Sequence, residues 1–278
     1  MNENTEWMIN GAPGKSISVR DRGLTYGDGL FETIAVRHGK PRFIDYHIER
    51  LSAGCQRLNI PRPTEIIDEV RQIAAGCAFG SVKIILTRGV GARSYAPPER
   101  PTPTRIIGLT AAQPPSGDVY ESGVAVRFCR ATISTNPALA GMKTLGRLDQ
   151  VMARSEWQDV HINEGLMCAE DGRVICGTMT NLFFVHDGNL RTPDLARCGI
   201  SGVMRRVVIE RAGLCGMDCA EVDIYPEDLR GAKEIFLTNS LIGIWPVSQL
   251  EDSPLEIGSI TRRLMTELVK VGVAECAV

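Results

Sequence analysis

The chain predicts an α/β (α+β) protein of two domains, and three observations carry that reading. Short apolar runs are bounded by turn dipeptides, helical apolar periodicity appears between them, and a Pro-Pro segment divides the chain near residue 114. The expected organisation is a smaller N-terminal domain over residues 1–111, a linker over 112–118 and a larger C-terminal domain over 119–278. No repeat or low-complexity tract competes with it. At 278 residues, two modest cores or one large one can be buried.

Taken in order, Asn10-Gly11 between Trp7-Met8-Ile9 and Ser16-Ile17-Ser18-Val19 predicts an early hairpin. A second is predicted by Leu30 to Val36, the turn His38-Gly39, and Pro41-Arg42-Phe43. A helix is expected from about Asp45 to Leu58, because Ile48, Leu51, Cys55 and Leu58 form one stripe. Val82–Thr87 and Arg105–Thr110 read as interior strands separated by a Gly- and Pro-rich loop. In Ala112-Gln113-Pro114-Pro115-Ser116-Gly117 two prolines cannot continue a helix or a central strand, which marks the linker. Asp171-Gly172 and Asp187-Gly188 predict two further hairpins. A helix follows Ser201, with Val203, Met204, Val207, Val208 and Ala212 inward and Gly213 as its stop. Strand Glu234–Leu237 leads into Thr238-Asn239-Ser240.

Composition narrows the function classes. Hydrophobic residues make up 44% and charged residues 23%, the balance of a globular chain. A formal net charge of −2 supplies no basic field for nucleic acid or an anionic membrane, and no apolar run approaches the roughly 20 residues that span a bilayer. The first residues lack the basic and apolar regions of a signal peptide. Nine scattered cysteines read as reduced thiols, which with that start predicts a cytoplasmic protein. Cys215 and Cys219 have no completing His or Cys pair, and His38, His47, His161 and His186 stand alone, so no metal site is expected.

Five features can carry chemistry. Lys143, among small and apolar neighbours, is either a snorkelling surface lysine or a desolvated, nucleophilic amine. Cys198 to Val203 puts Gly and Ser before a helix, which is either simple capping or an anion site made of free backbone N–H groups. Thr238-Asn239-Ser240 is a polar turn after a strand or a ligand-facing loop. Arg50 lies off the apolar stripe of its helix, towards solvent or towards a ligand. Arg88, Arg93 and Tyr95 share a loop that is either solvated or able to hold a carboxylate bidentately. No Ser-His-Asp order, Walker loop or dinucleotide fingerprint accompanies them.

In sequence order these pieces resemble the fold-type IV (aminotransferase class IV) pyridoxal-phosphate enzymes. Asp21 to Thr33 is similar to the N-terminal signature, His47-Ile48-Glu49-Arg50-Leu51 to the segment whose arginine binds phosphate, Asn181-Leu182-Phe183 to an Asn-aliphatic-Phe element, and Gly199-Ile200-Ser201-Gly202 to the phosphate turn. The resemblance implies a two-domain architecture whose larger domain has a β-barrel-like core, pyridoxal 5′-phosphate as cofactor, Lys143 as its Schiff-base lysine, and a homodimer. It further implies cofactor contacts from Arg50, Arg147, Cys176, Ile200, Ser201, Asn239 and Ser240. Substrate contacts are implied for Tyr26, Phe31, Arg88, Arg93 and Tyr95.

Within the family, Ala140 to Val151 and the Arg88–Tyr95 loop are most similar to the aminodeoxychorismate lyases, which form 4-aminobenzoate and pyruvate in folate biosynthesis. A branched-chain or D-amino-acid aminotransferase and a non-catalytic cofactor-binding homologue are the alternatives. D-amino-acid aminotransferases keep a tyrosine where this chain has Phe31, and Arg93 stands where their carboxylate-binding arginine falls. Two positions depart from the pattern: Gly146, often asparagine in the lyases, and Cys176, where the family places a glutamate against the pyridine nitrogen.

Overall fold

The computed structural model describes residues 5–115 and 118–277, and over these the chain divides into two compact units. One holds the chain up to Pro114 together with Met142–Gly146; the other holds Pro115–Gly141 and everything from Arg147 onward. The change of unit falls between the two prolines of the expected linker, of which residues 116 and 117 lie outside those described. Residues 142–146, read from sequence as part of the C-terminal domain, cluster with the N-terminal unit instead.

The first unit is an antiparallel sheet backed by helices. Its elements are β1 (Thr5–Ile9), β2 (Ala12–Pro13), α1 (Arg22–Tyr26), β3 (Gly29–Arg37), β4 (Lys40–Pro41), α2 (Ile44–Leu58), α3 (Ile66–Ala74), β5 (Phe79–Thr87) and β6 (Thr104–Ala111). The sheet order is β2-β1-β6-β5-β3-β4, which makes β5 and β6 interior strands as their apolar runs predict. Both hairpin turns place a non-glycine and a glycine at positive φ, Asn10-Gly11 and His38-Gly39, the conformation a two-residue hairpin loop requires. The partner of β1 corrects the sequence reading: it is Ala12–Pro13, and Ser16–Val19 is not a strand. Pro13 lacks the N–H that would extend the ladder. Alternation sets the core: Leu30, Ile34, Val36, Val82, Ile84 and Leu86 face Ile48, Leu51 and Cys55 of α2 and Ile66, Val70 and Ile73 of α3.

The second unit contains α4 (Asp118–Glu121), β7 (Val124–Phe128), α5 (Leu148–Arg154), β8 (Ile162–Cys168), β9 (Val174–Gly177), β10 (Asn181–His186), β11 (Asn189–Pro193), α6 (Val203–Leu214), β12 (Cys219–Val222), α7 (Pro226–Arg230), β13 (Glu234–Asn239), β14 (Gly243–Leu250), β15 (Ser253–Pro254) and α8 (Ser259–Lys270). Its mixed sheet runs β12-β11-β10-β13-β14-β7-β8-β9, and β9 returns against β10 and β11, so the sheet curls on itself. Val126, Leu166, Val174, Leu182, Phe184, Leu237 and Val247 fill that curl. The mixed α/β class and the barrel-like core therefore hold. Gly213 lies inside α6 rather than ending it. The stop is Gly216, at φ 72°, where Met217 N–H closes onto the Ala212 carbonyl.

Candidate active site

Lys143 is held by backbone pairing. Its carbonyl accepts the Phe31 N–H (2.9 Å), Leu145 N–H donates to the Gly29 carbonyl (3.1 Å), and Thr144 bridges Leu30. Residues 143–145 thus line the start of β3, while buried Met142 anchors the segment in the core of the first unit. The Lys143 side chain is half-buried, with Nζ 4.2 Å from the centroid of the Phe31 ring, within cation–π range.

Across β3 from Phe31 lies a charged core group that sequence reading missed. Glu32 is 1% exposed; it accepts from Arg50 through Nε (2.8 Å) and Nη2 (2.5 Å), and its Oε2 lies 2.6 Å from His47 Nδ1. Burial opposes ionisation of Glu32, but the charge of Arg50 and the bonds from His47 and Arg50 outweigh it and hold the carboxyl at about 2. Burial pushes His47 down against the pull of Glu32, so the imidazole is neutral. A signal was present: a carboxylate at a core register of β3, and His47 and Arg50 three apart on the facing helix.

The Gly199–Gly202 turn belongs to the second unit. Gly141 N–H donates to the Gly199 carbonyl and Ser201 N–H to the Gly141 carbonyl, both at 3.0 Å. Asn181 Nδ2 donates to the Ile200 carbonyl (2.9 Å). Gly199 sits at φ 87°, and a Cβ at Gly202 would fall 2.0 Å from Asn181 Oδ1, so this backbone path requires glycine at both places. It opens directly into α6, whose N-cap is Gly202 and has no side chain to cap the helix. The first-turn N–H groups and dipole of a twelve-residue helix then favour an anion such as phosphate. Asn239 and Ser240 are half-buried at the end of β13; Asn239 Oδ1 accepts from Leu241 and Ile242 N–H, and its Nδ2 donates to the Met179 carbonyl.

Cys176 is buried on β9, and burial, reinforced by the charge of Glu164, pushes its thiol up to about 12. It is therefore neutral and supplies no carboxylate. Arg147, at the N-cap of α5, is half-buried and depressed by that burial, while Cys176 and Asp149 pull in the other direction. Glu164, fully buried, was also missed: its carboxylate accepts from Thr178 N–H and hydroxyl, Met179 N–H and the Thr180 hydroxyl, fixing the loop between β9 and β10.

The Arg88–Tyr95 loop divides by role. Arg88 is buried and spends its guanidinium on Asp28 (2.7 and 3.0 Å) and on the carbonyls of Leu58 and Asn59 at the end of α2. These bonds give Arg88 a scaffold role within the first unit. Arg22, not singled out from sequence, shares Asp28 and donates to the carbonyls of Ser94, Tyr95 and Ala96, tying the loop down. Arg93 is exposed, and exposed Tyr95 packs its ring 5.4 Å from that of Tyr26. A groove of about 1350 Å³ elsewhere in the first unit, lined by Trp7, Met8, Ile73, Phe79 and Leu109, includes none of these residues.

The family model for amino-transferase class IV matches residues 29–250. An aminodeoxychorismate lyase of Vibrio harveyi is 33% identical over 94% of this chain and 99% of its own. A putative branched-chain-amino-acid aminotransferase of Methanocaldococcus jannaschii is 31% identical, covering 89% of this chain and 88% of its own. The crystal structure of 4-amino-4-deoxychorismate lyase from Pseudomonas aeruginosa superposes with a TM-score of 0.92 at 43% identity, covering 96% of this chain and 99% of that one. With more than half its length matched by the family model and its fold shared, this chain belongs to the class IV aminotransferase family.

Proposed function

We propose that the protein is a pyridoxal-phosphate-dependent lyase that converts 4-amino-4-deoxychorismate to 4-aminobenzoate and pyruvate. The observation that carries the reading is the Lys143 amine, fixed by backbone bonds to β3 and set against Phe31, in a chain similar along nearly its whole length to lyases of this kind.

Each unit carries groups whose chemistry suits the cofactor. Lys143 offers the amine for its aldehyde, and the glycine turn before α6 offers backbone N–H groups and the Ser201 hydroxyl for its phosphate, with Asn239 and Ser240 as further donors. Arg50, oriented by Glu32, is the guanidinium assigned to the phosphate. When bound, pyridoxal phosphate supplies a carbonyl that links to an amine and a ring that draws electrons from the adjacent carbon. Lys143 serves as the base: its amine takes the proton from the ring carbon that carries the substrate's amino group, the neighbouring ring carbon–oxygen ether bond breaks as the ring becomes aromatic, and the proton is returned to the methylene carbon of the departing enolpyruvyl group, which leaves as pyruvate. Arg93 and Tyr95 are the loop side chains assigned to substrate carboxylates.

Cys176 favours a lyase over a transaminase. A neutral thiol cannot hold a pyridine nitrogen protonated, and a reaction that forms an aromatic ring asks least of the electron sink. A homodimer is part of the same reading, to be checked by sedimentation equilibrium.

The test is reconstitution with pyridoxal phosphate followed by incubation with 4-amino-4-deoxychorismate. A visible absorbance band, fixed by borohydride onto the Lys143 peptide, and release of 4-aminobenzoate are expected. Lys143→Ala should lose both. Amino transfer from an amino-acid panel to 2-oxoglutarate without 4-aminobenzoate release would establish an aminotransferase instead.

A further inference from the structure

Arg22 and Arg88 are both buried and share one carboxylate, that of Asp28. Two guanidinium groups on one acid leave N–H donors that a buried site must satisfy in another way. Arg88 uses the Leu58 and Asn59 carbonyls. Arg22 uses three successive carbonyls of the loop between β5 and β6: Nη1 donates to Ser94 (2.7 Å) and Ala96 (3.4 Å), and Nη2 donates to Tyr95 (3.1 Å). The backbones of the two segments are joined as well, since Arg22 N–H donates to the Gly89 carbonyl (2.9 Å) and Asp21 bridges Val90. The guanidinium also lies 4.8 Å from the centroid of the Tyr26 ring, and Tyr26 packs against Tyr95. A Cβ at Gly91 would stand 2.8 Å from Arg22 Cδ, so the loop passes this closely over the arginine stem only as glycine.

Ser94, Tyr95 and Ala96 belong to no helix or strand and are exposed, so burial does not hold them in place. Lifting the loop away would strip both Arg22 Nη atoms of these acceptors, a cost that opposes opening. We propose that Arg22 is the positioning residue of this loop: it fixes the Ser94–Ala96 backbone before substrate arrives, so that substrate affinity depends on a guanidinium that does not itself touch the substrate. The assignment rests on the lyase reading, in which Arg93 and Tyr95 of the loop meet the substrate's carboxylates. A loop ordered in advance loses little conformational freedom on binding, so its contacts count more fully towards affinity. Loss of Arg22 therefore weakens substrate binding and leaves the proton chemistry at Lys143 unaltered.

The experiment uses the cofactor-loaded enzyme and reads two quantities: amide exchange at residues 94–96 without substrate, and steady-state release of 4-aminobenzoate. Arg22→Met leaves Asp28 paired with Arg88, so no acid is stranded. It should speed exchange at residues 94–96 by about tenfold and raise KM by about tenfold, the worth of one hydrogen bond to a charged group, with kcat held within about twofold. Arg22→Lys keeps the charge without the planar fork and should rescue neither quantity. Gly91→Ala keeps the guanidinium but crowds its stem, and should shift both quantities in the same direction. Arg71→Met, at an exposed ion pair of α3, should shift neither. Unchanged exchange in Arg22→Met, faster exchange with an unchanged KM, or a loss confined to kcat overturns the proposal and leaves Arg22 a purely structural arginine. If the wild type releases no 4-aminobenzoate, the lyase reading fails; the exchange contrast between wild type and Arg22→Met stands apart from it and still decides whether Arg22 fixes the loop.

Discussion

At the scale of single residues, charges decide more than apolar side chains do. Glu32 stands between Leu30 and Ile34 on a strand face that is otherwise hydrophobic, and Arg50 and His47 make its burial tolerable. Removing one member of a buried pair leaves the other unpaired, so Glu32→Gln should lower stability by about 3 kcal/mol at pH 7, measured by urea unfolding. Because the folded carboxyl lies near 2, below its ordinary value of 4.5, its contribution is complete above about pH 4.5 and is lost as pH falls towards 2. The gap between wild type and Glu32→Gln should therefore close across that acid window. A constant gap would show that the carboxylate's charge is not what stabilises the strand.

At the scale of elements, α8 depends on a residue of another element. Gly258 at its N-cap has no side chain, and Glu234 of β13 takes over: its carboxylate accepts from Ile260 N–H (3.2 Å), Thr261 N–H (2.8 Å) and the Thr261 hydroxyl (2.7 Å). The same carboxylate fills the space where a Cβ at residue 258 would stand. Glu234→Ala should cost about 2 kcal/mol, as loss of a buried cap with several acceptors does. Amide exchange should quicken first at residues 260–262, and faster exchange confined to β13 would contradict the assignment. In the same way Asn181 supports the turn at Ile200, so strands position both helix ends that matter here.

At the scale of the whole molecule, the nine cysteines are free thiols, and burial raises several of them: Cys55 and Cys219 to about 11, Cys129 and Cys176 to about 12. A thiol raised in the folded state stabilises fully below its unfolded value near 9 and loses that contribution as pH climbs through the folded value. Stability should accordingly decline between about pH 9 and 12, followed by thermal unfolding across that range. Cys176 should resist iodoacetamide at neutral pH until the protein unfolds. Early alkylation of Cys176 would contradict its burial.

The sequence by itself determined the mixed class, the turns at Asn10-Gly11, His38-Gly39, Asp171-Gly172 and Asp187-Gly188 and the helices α2 and α6, because period and turn chemistry are local properties, and it pointed to the family through motifs in their order along the chain. Lys143 and the Gly199–Gly202 turn were legible as unusual but ambiguous, since capping and snorkelling read alike in one dimension. Only tertiary structure decided that residues 142–146 join the first unit, that Arg88 is bonded to Asp28, and that Glu32, His47 and Arg50 form one buried group. The physical reason is that a side chain's charge and partners depend on groups far away in sequence. Strand register and helix docking bring those groups together, and neither is encoded in any short window of residues.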